Sequence, residues 1–100
     1  MKVNVQTPNF AAKDDLLLFV KKKLNKLEQF YDRIVFADVF LKVQKTSEKE
    51  NKIVEILLSI PGDEVMVKKE AKSFEEATDE AVKALQRQLK KRKQKEKVYL

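Results

Sequence analysis

The stretch that decides the fold is IVFADVFLKVQKTSEKENKIVEILLSIPGDEVMVKKEA, Ile34–Ala71. It is rich in β-branched and aromatic residues, and apolar and polar positions alternate with the two-residue period of half-buried strands. Ile34–Lys45 reads as one strand. Ala37, Val39, Leu41 and Val43 face one side, and Phe36, Asp38, Phe40, Lys42 and Gln44 the other. Thr46–Asn51 is a polar hairpin loop. Lys52–Ile60 is a second strand, with Val54, Ile56, Leu58 and Ile60 inward and Glu55 and Ser59 outward. Pro61–Asp63 holds the chain's single glycine and reads as a tight turn into a third strand, Glu64–Ala71.

On either side of this block the period changes. Lys2–Thr7 alternates like a short strand, and Pro8 and Asn9 break it. Leu16, Val20, Leu24, Leu27 and Tyr31 then recur at helical spacing, within roughly 80° of arc. Asp14 and Asp15 fall in the first turn, where carboxylates favour the helix dipole. Leu17, Phe19 and Phe30 widen the stripe, Lys22 and Lys26 point away from it with Lys23 between, and Asp32 and Arg33 end the helix. Downstream, Ser73 with Glu76 three residues on is a capping box. It opens a helix that runs past Leu89, with an apolar face of Phe74, Ala77, Ala81, Leu85 and Leu89, flanked by Val82. The expected architecture is α+β, order βαβββα: an antiparallel four-stranded sheet with two helices packed on one face. The expected organisation is a single domain over residues 1–100, with a short tail over 95–100.

Composition removes several function classes. There is no Cys and no His among the 100 residues, hence no disulfide, thiolate nucleophile, imidazole base or common zinc ligand set. One glycine rules out a phosphate-cradling loop or dinucleotide site. Asp38 and Glu55 share a sheet face, but exposed carboxylates there are ordinarily solubility features. No enzyme, cofactor or metal is expected. The longest apolar run, Leu16–Val20, is too short to cross a bilayer, and the N-terminus lacks a signal-peptide core. A soluble cytoplasmic protein is the expectation.

Charge is the informative feature. Residues 1–82 hold 14 Lys/Arg and 15 Asp/Glu, a balance of −1, whereas residues 83–100 hold 8 and 1, a balance of +7. With Leu85 at the centre of the buried face, Lys83, Arg87, Lys90 and Gln94 cluster opposite it within roughly 60°, flanked by Lys91. Their heads stand about 5 to 6 Å apart along the axis, close to the phosphate spacing of A-form RNA. A merely solvated face would carry acidic partners at i−4. Lys83 has Asp79 there; Arg87, Lys90, Lys91 and Lys95 have none. Two readings stay open: a solvated helix end, or a surface for a polyanion. Phe36 and Phe40 leave a third, a generic RNA- or protein-binding module that uses the open sheet face, unless the hairpin loop covers them.

The segments FVKKKLNKLEQFYDRI (Phe19–Ile34), LKVQK (Leu41–Lys45) and SFEEATDEAVKALQRQLKKRKQK (Ser73–Lys95) resemble the ribosome hibernation promoting factor and ribosome-associated inhibitor family, also known as the sigma-54 modulation family. KLEQFYDRI and LQRQLKKRK are the most specific. The resemblance implies a βαβββα fold similar to the double-stranded RNA-binding domain. It implies binding to the small ribosomal subunit in slow growth or stationary phase. The site would be the groove between head and body, where mRNA and tRNA anticodon stems go, and translation would stop by occlusion. The RNA-facing positions it implies are Lys22, Lys23, Lys26, Lys83, Arg87, Lys90, Lys91 and Lys93. Lys13 stands where relatives often carry a Ser or Thr cap. The chain is similar to the short form, without a C-terminal dimerisation domain or the inhibitor-type tail. The partners implied are the small subunit and its rRNA, with no membrane and no small-molecule substrate.

Overall fold

A computed structural model describes residues 1–46 and 50–98. The elements are β1 (Lys2–Gln6), α1 (Asp14–Asn25) with a 3₁₀ turn (Lys26–Gln29), β2 (Phe36–Lys45), β3 (Glu50–Ile60), β4 (Asp63–Ala71) and α2 (Phe74–Val98). They form one four-stranded sheet in the order β1-β2-β3-β4. The β2–β3 and β3–β4 pairs are antiparallel, but β1 lies parallel to β2. The sheet is therefore mixed, and the expectation of an antiparallel one fails at this edge. Between β1 and β2 the chain crosses over through α1, which returns it to the same end before β2 starts, and such a crossover gives parallel neighbours.

Alternation sets the register. Val5, Val39, Ile56 and Val67 form one inward row, and Ala37, Leu58 and Val65 belong to the next. A slip of one residue would turn every one of these side chains to the other face. Val39, Leu41, Val54, Ile56 and Leu58 are fully buried under Val20, Leu24 and Leu27 from the first helical segment and Ala77, Ala81, Leu85 and Leu89 from α2. Gly62 sits at φ 76°, as the third position of a Pro-Gly turn requires, and joins β3 to β4 where Ile60 pairs with Asp63. The β2–β3 hairpin is tighter than expected: pairing continues to Lys45 and Glu50, and residues 47–49 of the predicted loop lie outside the described residues.

Two local features also differ from expectation. The first helix does not continue to Tyr31; α winding stops at Asn25 and the chain tightens into the 3₁₀ turn. Leu27 and Tyr31 still reach the core, but Phe30 caps the turn and stays 43% exposed. At the start of α2, the Ser73 hydroxyl accepts from the Glu76 N–H at 3.1 Å. The return bond from the Glu76 carboxylate is not formed among the described residues. Instead, Phe74 stacks on Phe10, with ring centroids 4.9 Å apart, and ties the helix start to the β1–α1 connection. The expected tail from residue 95 is helical as far as Val98.

Candidate nucleic-acid interface

Burial of Phe74, Ala77, Ala81, Leu85 and Leu89 fixes the rotation of α2 about its axis. Helical winding then leaves Lys83, Arg87, Lys90 and Lys91 on the outer side, and all four are exposed, as is Lys93 nearer the edge. Leu89 is the last buried side chain along α2 among the described residues. Beyond it the helix continues to Val98, projecting past the buried core.

α1 packs beside α2, which brings Lys22 and Lys26, both exposed, to the same side of the domain. Besides their shared apolar core, the helices are joined by the ion pair Lys23–Asp79, at 3.1 Å. Lys23 also lies over the Phe19 ring, 5.5 Å from its centroid. Asp79 therefore serves the neighbouring helix and not Lys83, the partner its sequence spacing offered. Lys23 is the one member of the expected contact set already engaged. Among the described residues, Lys22, Lys26, Lys83, Arg87, Lys90, Lys91 and Lys93 form no ion pair. Cations this close along one surface repel one another, and a polyanion would relieve that repulsion.

Arg92 behaves differently. It is half-buried, on the core side of the helix, and its guanidinium pairs with the Asp63 carboxylate in the β3–β4 turn. Asp63 also accepts from the Glu64 N–H at 2.8 Å. That backbone bond, followed by the Arg92 contact, holds the Asp63 carboxyl below its ordinary pKa. Arg92 is thus a clamp for the projecting helix end, whereas its neighbours are free.

The opposite face of the sheet carries no helix among the described residues. Asp38 accepts from the Asn4 amide at 3.2 Å, and Glu55 sits between Lys42 at 3.4 Å and Lys68 at 3.8 Å. These carboxylates are held in cross-strand pairs. Phe36 and Phe40 stand on this face, half-buried, with Leu57 and the 67% exposed Met66. The Lys42 ammonium lies 5.9 Å from the Phe40 centroid.

Sequence reasoning missed two residues. It counted Arg92 with the basic run, although Arg92 falls only about 20° from Leu85 around the helix, a position that faces the core. It placed Phe30 in the apolar stripe, although Phe30 ends the 3₁₀ turn, where the winding departs from the α period, and stays exposed.

Fold and surface define the class: a small α+β domain with one sheet face covered by two helices, and cationic charge gathered on the outer side of those helices. Residues 3–97 match the family described as sigma 54 modulation protein / S30EA ribosomal protein. The ribosome hibernation promoting factor of Pseudomonas putida is 35% identical over 96 residues, covering 96% of this chain and 90% of that protein. The protein of the same name from Escherichia coli K12 is 34% identical over 95 residues, covering 95% and 96%. Among solved structures, the Thermus thermophilus Protein Y N-terminal domain superposes with a TM-score of 0.80 at 28% identity, over 91% of this chain and 98% of that one. A ribosomal subunit interface protein from Coxiella burnetii gives a TM-score of 0.83 at 22% identity, over 93% and 98%, which shows a shared fold. The chain belongs to the sigma 54 modulation protein / S30EA ribosomal protein family, a family of ribosome-associated hibernation factors and not of enzymes.

Proposed function

We propose that this protein is a cytoplasmic hibernation factor that binds the small ribosomal subunit through rRNA and blocks translation by occupying the mRNA and tRNA groove in slow growth or stationary phase. The observation that carries this reading is the unpaired row on the outer side of α2, formed by Lys83, Arg87, Lys90 and Lys91 with Lys93 at its edge, beside Lys22 and Lys26. Such a row binds phosphates by charge and spacing, without reading sequence. Lys23 contributes less than the others, because it must leave Asp79 to reach a phosphate. The names of the relatives, hibernation promoting factors and a subunit interface protein, agree with this reading.

The test is co-sedimentation with purified small subunits across a salt series. If about five phosphates are neutralised, log K falls against log salt with a slope of roughly −3.5 to −4.5. Changing Arg87, Lys90 and Lys91 together to Glu abolishes binding and leaves the thermal melt in place, because none of the three is buried. A flat salt response, or a triple variant that binds like the wild type, removes the mechanism. Sucrose gradients of stationary-phase extract, probed for this protein, test the growth-phase assignment.

A further inference from the structure

Where the 3₁₀ turn meets the projecting half of α2 there is an open groove of about 310 Å³, lined by Gln29, Phe30, Lys90, Lys93 and Gln94. That is the small end of the range for ligand clefts, roughly 300–1,000 Å³. Its composition is specific. One half-exposed aromatic ring forms an apolar wall, two lysines without an ion pair among the described residues line the same groove, and two carboxamides can each donate and accept. A phosphate-only surface has no use for the ring or the amides. A protein partner would be expected to bury an apolar patch larger than a single Phe. The charge is complementary to one ligand class that also carries a flat π face and polar edges: an unstacked nucleotide within a single-stranded RNA segment.

We propose that this groove holds one splayed-out nucleotide, with its base stacked on Phe30, its edge met by Gln29 and Gln94, and its flanking phosphates held by Lys90 and Lys93. The inference rests on the rRNA-binding reading and adds a single-stranded contact to it. Lys90 then has two roles, as the member of the cationic ridge that lies next to the groove. Stacking of this kind tolerates any base, so the groove favours unpaired over paired RNA and shows little preference among sequences.

The chain contains no Trp, so Phe30→Trp supplies a single indole at the groove, excited at the red edge where the two tyrosines do not absorb. Titrating that variant with an adenylate hexamer and, separately, with a blunt RNA duplex is expected to quench emission with the hexamer alone. In the unlabelled protein, Phe30→Ala weakens hexamer binding by about 5- to 150-fold, the range carried by one base–aromatic stack, and leaves duplex binding within about twofold. Phe30→Trp retains hexamer affinity, which separates lost stacking from a disturbed turn, and thermal melts of both variants report folding. The proposal is overturned if the hexamer binds without changing Trp emission, if Phe30→Ala binds it like the wild type, or if the hexamer does not bind at all. Co-sedimentation of the wild type with small subunits tests the underlying reading separately, so failure of the groove and failure of that reading give different results.

Discussion

The two halves of α2 are one continuous helix held by different forces. From Phe74 to Leu89 the helix is held by burial, with a side chain in the core at nearly every turn. From Lys90 to Val98 no described side chain is buried, and what remains is helix propensity, the favourable placement of cations at a helix C-terminus, and the Arg92–Asp63 clamp. Against these stand like-charge neighbours at i,i+4, Arg87 with Lys91 and Lys91 with Lys95, each unfavourable by a few tenths of a kcal/mol. The first half makes the fold through its inner face and carries Lys83 and Arg87 of the cationic ridge on its outer face. The second half adds little to the fold and carries half of the cationic ridge. Stability and binding are therefore separable by face in the first half, and the second half serves binding with little burial.

The largest effect expected from testing that separation is Leu85→Ala. Leu85 is fully buried, and removing it costs about 2–5 kcal/mol. At roughly 4–8 °C per kcal/mol for a domain of this size, the melting temperature drops by at least about 8 °C. Lys90→Ala, five residues on and exposed, stays within about 0.5 kcal/mol of the wild type in the same thermal melt. Equal destabilisation by the two would break the distinction. A smaller effect comes from the helix start. Ser73→Ala removes the acceptor for the Glu76 N–H and costs about 1 kcal/mol in denaturant unfolding, while small-subunit affinity, measured under conditions where both proteins are folded, does not change.

The buried half was legible in the sequence because burial leaves a period. Alternation in Ala37–Val43 and Val54–Ile60, and the 3.6-residue recurrence from Phe74 to Leu89, specify both element type and inward face. Strand direction leaves no such trace. A two-residue period is the same whether β1 runs with or against β2, and the crossover between Gln6 and Phe36 decides it. The change of winding at Lys26 was also hidden, because Leu27 and Tyr31 fit the α period while being delivered to the core by a tighter turn. On the surface, helical spacing placed Lys83, Arg87, Lys90 and Lys91 correctly on the outside. It did not show that Asp79 would pair with Lys23 on another helix, nor that Arg92 had a partner 29 residues away. Charge pairs between elements exist only once the fold has brought them together.

The smallest expected effect concerns that last pair and sharpens the comparison where the two halves of α2 meet. The Asp63 carboxyl is held below its ordinary pKa by the Glu64 N–H and by Arg92. A carboxyl depressed by folding contributes stability that is fully present above its unfolded value, about 3.9, and is lost as pH falls through the lower folded value. The clamp is therefore intact from neutrality down through mild acid, and it opens only below the ordinary Asp range. NMR of the Arg92 side-chain N–H resonance should follow this titration, with its midpoint below 3.9. Asp63→Asn keeps an acceptor for the Glu64 N–H but removes the charge, so the Arg92 response should vanish while the Pro61–Gly62 turn is retained. Arg87, on the first half of α2, forms no ion pair among the described residues, so its side-chain signal should stay flat over the same range. If Arg92 responds identically in the wild type and in Asp63→Asn, the projecting half is held by helix continuity alone.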